Sequence, residues 1–249
     1  AGSVTLLGDP PADAPKERLG LLPQDFDPPD RLTPRELVGY YAGLYDDPRS
    51  PADLLRTVGM DPETETWYAD LSGGEKRRTC VAASLANDPD VLFVDEPTTG
   101  VDPAGRRALW DVFEGLAASG TTVFLTTHYM AEAERLADRV GLLADGRIVA
   151  TGTPGGLVAD YGGDQYLAVE TEADADALAH LAYPVERDGD ALHVRGAPPE
   201  AIGDVAAALE DAGVAFDALS WKEPDLEDVY LRLADDPTVV ADDAEEVVA

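Results

Sequence analysis

The chain has 249 residues, 45% of them hydrophobic, and carries 50 Asp and Glu against 18 Lys and Arg, a formal net charge of −32. That length and apolar content suffice for one large or two modest buried cores and exclude a wholly disordered chain. The charge argues against nucleic acid and anionic lipid as direct partners unless a local basic cluster reverses it, because both are held through Lys and Arg neutralising phosphate.

In chain order, Val4-Thr5-Leu6-Leu7 and Leu19-Gly20-Leu21-Leu22 read as short strands joined by a Pro-rich turn. Thr33-Pro34-Arg35-Glu36 is a capping box with Pro at the first helical position, followed by Leu37, Tyr40, Tyr41 and Leu44 on one helical face. A second helix runs from Pro51 to Val58 and stops at Gly59, so the stretch from Asp30 to about Asn87 is mainly helical and inserted between strands. Val91-Leu92-Phe93-Val94 is a continuous apolar run, expected for a parallel strand buried on both faces. Asp102-Pro103 opens a helix that carries Leu109, Trp110, Val112, Phe113 and Leu116 and closes at Gly120; Thr122 to Leu125 is the next strand. A helix from Met130 to Ala137 precedes two strands, Val140 to Leu143 and Arg147 to Val149, joined by the turn Asp145-Gly146. The alternation predicts an α/β core.

A new pattern starts at Gly162-Gly163-Asp164. Strand Tyr166 to Glu170, helix Ala173 to Leu181, a hairpin from Val185 to Val194, helix Pro199 to Ala212, strand Val214 to Trp221 and helix Leu226 to Leu233 follow. The order β-α-β-β-α-β predicts a small α+β ferredoxin-like domain. The expected organisation is therefore a first domain over 1–162, with its helical subdomain at about 30–88, an accessory domain over 163–234, and an acidic tail over 235–249.

Lysine occurs only at Lys16, Lys76 and Lys222 and acid is spread along the whole chain. This is the composition of a surface suited to concentrated salt, where the screening length falls to about 3 Å. The single cysteine, Cys80, forms no intramolecular disulfide, no basic-then-apolar leader is read at the N-terminus, and no apolar run reaches the ~20 residues that cross a bilayer. The expected compartment is the cytoplasm, with any membrane role reached through a partner.

Several short motifs carry chemistry. Leu71-Ser72-Gly73-Gly74-Glu75 opens a helix with Lys76, Arg77 and Arg78 behind it; glycines admit a ligand to the backbone, Ser72 offers a hydroxyl, and the helix start presents free N–H groups, which suits phosphate. A helix cap with a solvated basic turn has the same sequence. Asp95-Glu96 sits at the C-terminal end of the apolar strand, the edge where open α/β sheets place ligands: one carboxylate suits Mg²⁺, its neighbour a water to be oriented or deprotonated. Gln24 follows one strand, Asp102 follows Thr98-Thr99-Gly100, and His128 ends another. Each residue alone reads as structural, but their order along successive strand ends makes them converge on one edge. His180 and His193 read as surface or packing residues.

These motifs resemble the nucleotide-binding subunits of ATP-binding-cassette (ABC) transporters over roughly residues 1–157. The resemblance implies a P-loop-NTPase core and assigns Gln24 to the Q-loop, Leu71, Ser72, Gly73, Gly74 and Glu75 to the signature, and Asp95 and Glu96 to Walker B. It makes Glu96 the catalytic base, Asp102 the D-loop aspartate and His128 the switch histidine, with ATP and Mg²⁺ as cofactors and Asp95 and Gln24 as the Mg²⁺ ligands. Thr98 to Pro103, Thr126 to Met130 and Gly146 to Pro154 look like the branch serving drug, polysaccharide and lipid exporters, and Glu223 to Tyr230 is similar to the closing helix of that branch's accessory domain. The implied function is an ATPase that drives export through a separate membrane permease. It works as a homo- or heterodimer with a second cassette, peripheral on the inner membrane face, with no nucleic acid and no membrane insertion of its own.

The family's G-x-x-x-x-G-K-[ST] loop is not in these 249 residues: Pro15, Glu75 and Trp221 precede the three lysines. Expectation therefore holds the chain to be N-terminally truncated, as a fragment or naturally, inactive alone, and marginal in stability, yet able to offer Ser72 to Glu75 to an intact partner. Two other readings stay open: a catalytically incomplete pairing module, and a soluble non-transport ABC ATPase.

Overall fold

The structure, a computed structural model, describes residues 3–178 and 181–235. His180 and the expected acidic tail beyond residue 235 lie outside the described residues. The chain divides into two compact units, 1–132 and 133–249.

The first unit is built on three parallel strands in the order β1-β2-β3: β1 (Leu19–Leu22), β2 (Val91–Asp95) and β3 (Thr122–Thr126). Leu22 lies opposite Val94 and Asp95 opposite Thr126, so all three strands end at the same edge. Between β1 and β2 the chain makes α1 (Pro34–Ala42), α2 (Pro51–Thr57) and α3 (Gly73–Ser84), the expected helical insert. The capping box at Thr33 is formed, since its hydroxyl accepts from the Glu36 N–H and the Glu36 carboxylate accepts from the Thr33 N–H. α4 (Pro103–Ala118) then leads to β3.

Leu22, Leu92 and Val94 are buried on the sheet face covered by α3 and α4. Gly20 permits the close packing of α3: a Cβ there would lie 2.7 Å from the Ser84 carbonyl oxygen and 2.8 Å from Leu92 Cδ1. The other face differs from expectation. Leu21, Phe93 and Phe124 are register partners in one row, and Leu21 and Phe124 are 67% and 59% exposed. Burial on both faces holds for Val91 and fails at Leu21 and Phe124, which no element of the first unit covers among the described residues. The expected strand at Val4 to Leu7 is also not formed. Leu6 and Asp9 close on each other through N–H to carbonyl bonds of 2.7 and 3.1 Å, with Leu7 and Gly8 at positive φ, so the segment spends its backbone groups on a tight turn.

The division between the units falls within α5 (Met130–Leu136). The second unit begins with the antiparallel pair β4 (Val140–Ala144) and β5 (Arg147–Gly152), turned at Asp145-Gly146 with φ of 48° and 74°, as a two-residue hairpin requires. α6 (Pro154–Tyr161), which the sequence reading passes over, is capped by Thr153 and has Pro at its first position. Four antiparallel strands follow in the order β7-β8-β6-β9: β6 (Tyr166–Glu170), β7 (Val185–Asp188), β8 (Ala191–Arg195) and β9 (Ala218–Lys222). In chain order that is the second, third, first and fourth strand, the arrangement of a ferredoxin-like sheet. Leu167, Val169, Leu192 and Val194 bury one face against Val205 and Leu209 of α7 (Ile202–Asp211). α8 (Leu226–Asp235) packs on α6.

The helix expected at 173–181 is a short 3-10 turn, Ala175–Leu178; the Thr171 hydroxyl takes the Ala173 N–H, favouring a local turn over a helical start. His193 is a packing residue: it is 7% exposed, stacked on Tyr166 at 4.2 Å, and its burial lowers its pKa.

Candidate functional site

The parallel register brings three chain segments off one sheet edge, 23–24 after β1, 96–97 after β2 and 127–128 after β3. At the end of β2 the side chains of Asp95 and Glu96 part company. Asp95 Oδ1 accepts a hydrogen bond from Thr126 Oγ1 on the adjacent strand. Glu96 adopts φ of +46°, a left-handed conformation that costs a non-glycine residue about 1–3 kcal/mol. Its N–H still donates to the Thr126 carbonyl at 3.1 Å, and its carboxylate is aimed at His128: Oε2 lies 2.6 Å from Nδ1 and accepts from Thr99 Oγ1 at 2.9 Å. Nδ1 is therefore the imidazole nitrogen that faces the carboxylate. Glu96 is 20% exposed and His128 59%, so both are open to a ligand. The segment behind His128 is steadied by Tyr129, whose ring lies 4.3 Å from the Arg106 guanidinium.

Leu71 to Glu75 form the start of α3 as a second capping box. Ser72 Oγ accepts the Glu75 N–H at 3.3 Å and donates to Glu75 Oε2 at 2.7 Å, while the Ser72 N–H reaches the same carboxylate at 3.0 Å. These bonds, the hydroxyl's first, hold the Glu75 pKa below the ordinary carboxylate range. Ser72 and Gly73 are exposed; Leu71 is a buried core residue. Asp102 caps α4, accepting from the Gly105 and Ala104 N–H groups at 3.0 Å each, which lowers its pKa. The starts of α3 and α4 touch through glycines: a Cβ on Gly105 would lie 2.7 Å from Val101 Cγ1 and 3.3 Å from the Gly74 Cα.

One residue that the sequence reading took for part of a basic turn ties these pieces together. Arg77, in the second turn of α3, donates to the carbonyl oxygens of Pro23, Gln24, Asp95, Glu96 and Pro97. Burial lowers its pKa, although a guanidinium stays charged. A cavity of about 310 Å³ lies beside it, with Gln24, Gly73, Lys76, Glu96 and Thr99 in its wall. Asp95, Glu96 and His128 thus stand within contact of one another or of a shared partner, and Gln24 joins them through Arg77. Asp102 and Ser72 are engaged at their own helix starts and are not in that wall. Nothing in Lys76-Arg77-Arg78 marks Arg77 out from its two neighbours in the sequence.

Residues 1–99 match the family described as ABC transporter. The chain is 37% identical over 236 residues to the Daunorubicin resistance ATP-binding protein DrrA3 of Streptomyces coeruleorubidus, covering 90% of this chain and 75% of that protein. It is 40% identical over 166 residues to the Nod factor export ATP-binding protein I of Burkholderia lata (strain ATCC 17760 / DSM 23089 / LMG 22485 / NCIMB 9086 / R18194 / 383), covering 64% of this chain and 55% of the relative, so it spans about half the length of that protein. Among solved structures it resembles an ATP binding subunit of an ABC transporter, with a TM-score of 0.54 and 27% identity over 65% of this chain and 71% of the other.

Proposed function

The chain belongs to the ATP-binding subunits of ABC transporters, and from that membership we propose that it serves ATP hydrolysis coupled to export through a separate membrane permease. The observation that carries this reading is the Glu96–His128 contact of 2.6 Å at the sheet edge where Asp95 also ends. Glu96 is the general base: a carboxylate with a histidine fixing its direction is suited to orienting and deprotonating a water. His128 holds that carboxylate through Nδ1, and its Nε2 would supply an N–H to a phosphate oxygen of the bound nucleotide. The exposed start of α3 at Ser72 and Gly73, with Gly74 and Glu75 behind it, caps ATP held by a second cassette, and Asp102 keeps the neighbouring helix start in place.

Asp95 and Gln24, through water or directly, would hold Mg²⁺, since a carboxylate and an amide oxygen are the hard donors that this ion takes. Mg²⁺, when bound, neutralises charge on the phosphates. Among the described residues no cluster of three or more His, Cys, Asp and Glu side chains is placed to hold a metal ion.

Residues 1–162 supply the cassette portion and 163–234 the accessory domain in this reading. Among the described residues no helix is long and apolar enough to cross a membrane. The permease contact falls to the helical insert, where the rings of Tyr40 and Tyr41 lie 5.3 Å apart, Tyr41 also meets Phe26 from the preceding segment at 5.3 Å, and Tyr40 and Leu44 are 61% and 64% exposed. Such a patch suits a protein surface at the inner membrane face.

The test is Glu96→Gln in the product of the whole gene, assembled with its permease. ATP binding should survive while turnover falls by about 10²- to 10⁴-fold. Turnover close to that of the unaltered protein would remove Glu96 as the base, and an unaltered assembly without ATP turnover would reject the ATPase reading.

A further inference from the structure

Resting on the ATPase reading, we infer that Arg77 is a positioning residue. It joins α3 to the loops that bear Gln24 and Glu96, so that a displacement of the helix capped by Ser72 is carried to the catalytic carboxylate. A guanidinium holds five N–H donors in one plane and no acceptor. Here Nε donates to the Pro97 carbonyl at 3.0 Å; Nη1 donates to Pro23 at 3.1 Å and Gln24 at 3.3 Å; Nη2 donates to Asp95 at 2.7 Å and Glu96 at 3.3 Å. All five acceptors are backbone oxygens, drawn from two loops that are distant in sequence. They meet because β1 and β2 run parallel with Leu22 opposite Val94, so both chains leave the sheet side by side and turn their carbonyls to the same point.

The consequence falls on Glu96. Its backbone is in the left-handed region, with its N–H held by the Thr126 carbonyl at 3.1 Å and its carbonyl held by Arg77. Fixing both peptide groups fixes the direction of the side chain, which ends 2.6 Å from His128 Nδ1. The same guanidinium holds the Gln24 carbonyl, so the two loops keep one spacing. Because Arg77 is rooted in α3, helix and loops move as one body. A lysine carries three donors on a single nitrogen and has no plane with which to bridge both loops.

Arg77→Lys keeps the charge and removes the bridge, and is less prone to unfold than Arg77→Ala; Arg56→Lys, on the exposed side of α2, is the control. Hydrogen–deuterium exchange on the folded protein should rise by about tenfold in 22–26 and 95–102 in Arg77→Lys, with α1 and α2 unchanged. In the whole-gene product with its permease, kcat should fall by about tenfold or more while KM for ATP stays within about threefold. Arg56→Lys should move neither readout. Unchanged exchange in the two loops overturns the inference, as does faster exchange with an unaltered kcat, or a uniform rise in exchange through α1 and α2 that marks a merely structural role. A wild-type product without ATP turnover sinks the ATPase reading instead, and the exchange result then judges the clamp by itself.

Discussion

At the scale of single residues, the site depends on a strained glutamate. Glu96 remains in the left-handed region because Thr126, Arg77, Thr99 and His128 together over-determine it. Removing the imidazole in His128→Ala leaves the carboxylate with one side-chain partner, Thr99, and turnover is expected to drop by roughly 10²-fold with ATP binding retained, as steady-state kinetics and nucleotide titration would report. Gly105 is the second sensitive point. In Gly105→Ala the new Cβ meets Val101, Asp102 and Gly74 at 2.7, 3.1 and 3.3 Å, and the backbone of Gly74 has no side chain to swing away. The expected cost is about 1–3 kcal/mol, measured as a lower denaturant midpoint, with the starts of α3 and α4 pushed apart.

At the scale of elements, the capping box expected at Thr33 with Glu36 forms, and a second, not expected as such, forms at Ser72 with Glu75. Thr33→Ala should lower stability at neutral pH by about 1 kcal/mol, the usual value of an N-cap. A pH dependence accompanies it. The Glu36 pKa is lowered by the Thr33 N–H first and its hydroxyl second. A carboxylate depressed on folding stabilises the protein fully above the ordinary Glu value near 4.3 and loses that contribution as pH falls through the lower folded value. Alanine keeps the Thr33 N–H and removes only the hydroxyl's part, so the difference between wild type and Thr33→Ala should narrow slightly below about pH 4, and denaturant midpoints at neutral and acid pH would reveal it. A gap that widened in acid would refute the cap as its source. α6 shows the opposite lesson: Pro154-Gly155-Gly156 looks like a chain breaker, yet Pro at the first helical position lacks only an N–H that would have no partner, and the Thr153 hydroxyl accepts the Gly156 N–H at 3.1 Å.

At the scale of the whole molecule, a charge of −32 and an uncovered apolar row set the solution behaviour. In dilute buffer the like charges repel across a long screening length, which opposes compaction; molar salt removes most of that repulsion. The melting temperature is expected to rise by several degrees from about 0.1 M to molar KCl, and a flat or falling trend in calorimetry would refute the reading of the surface as salt-adapted. The row Leu21, Phe93 and Phe124 acts in the other direction, since screened molecules approach and apolar surface associates. Phe124→Ser should reduce light scattering at high salt, Phe124 being exposed enough that its loss removes little from the core.

The sequence by itself determined most of the elements, their order and several helix starts, because caps, turns and apolar periodicity are local; the turn at Leu6 to Asp9, α6 and the 3-10 turn at Ala175–Leu178 escaped it. Thr33, Ser72 and Asp102 each sit where a helix starts, and the second unit's strand sequence suffices for its sheet. It also placed Gln24, Asp95, Glu96 and His128 at one sheet edge, since successive parallel strands end together. What only the tertiary structure decided is how those ends are held: the left-handed turn of Glu96, its approach to His128, and the convergence of five carbonyls on Arg77. It likewise decided which face of the sheet lies open. Those outcomes depend on contacts between residues far apart in the chain, and no local pattern in Lys76-Arg77-Arg78 records which of three neighbouring cations the packing turns inward.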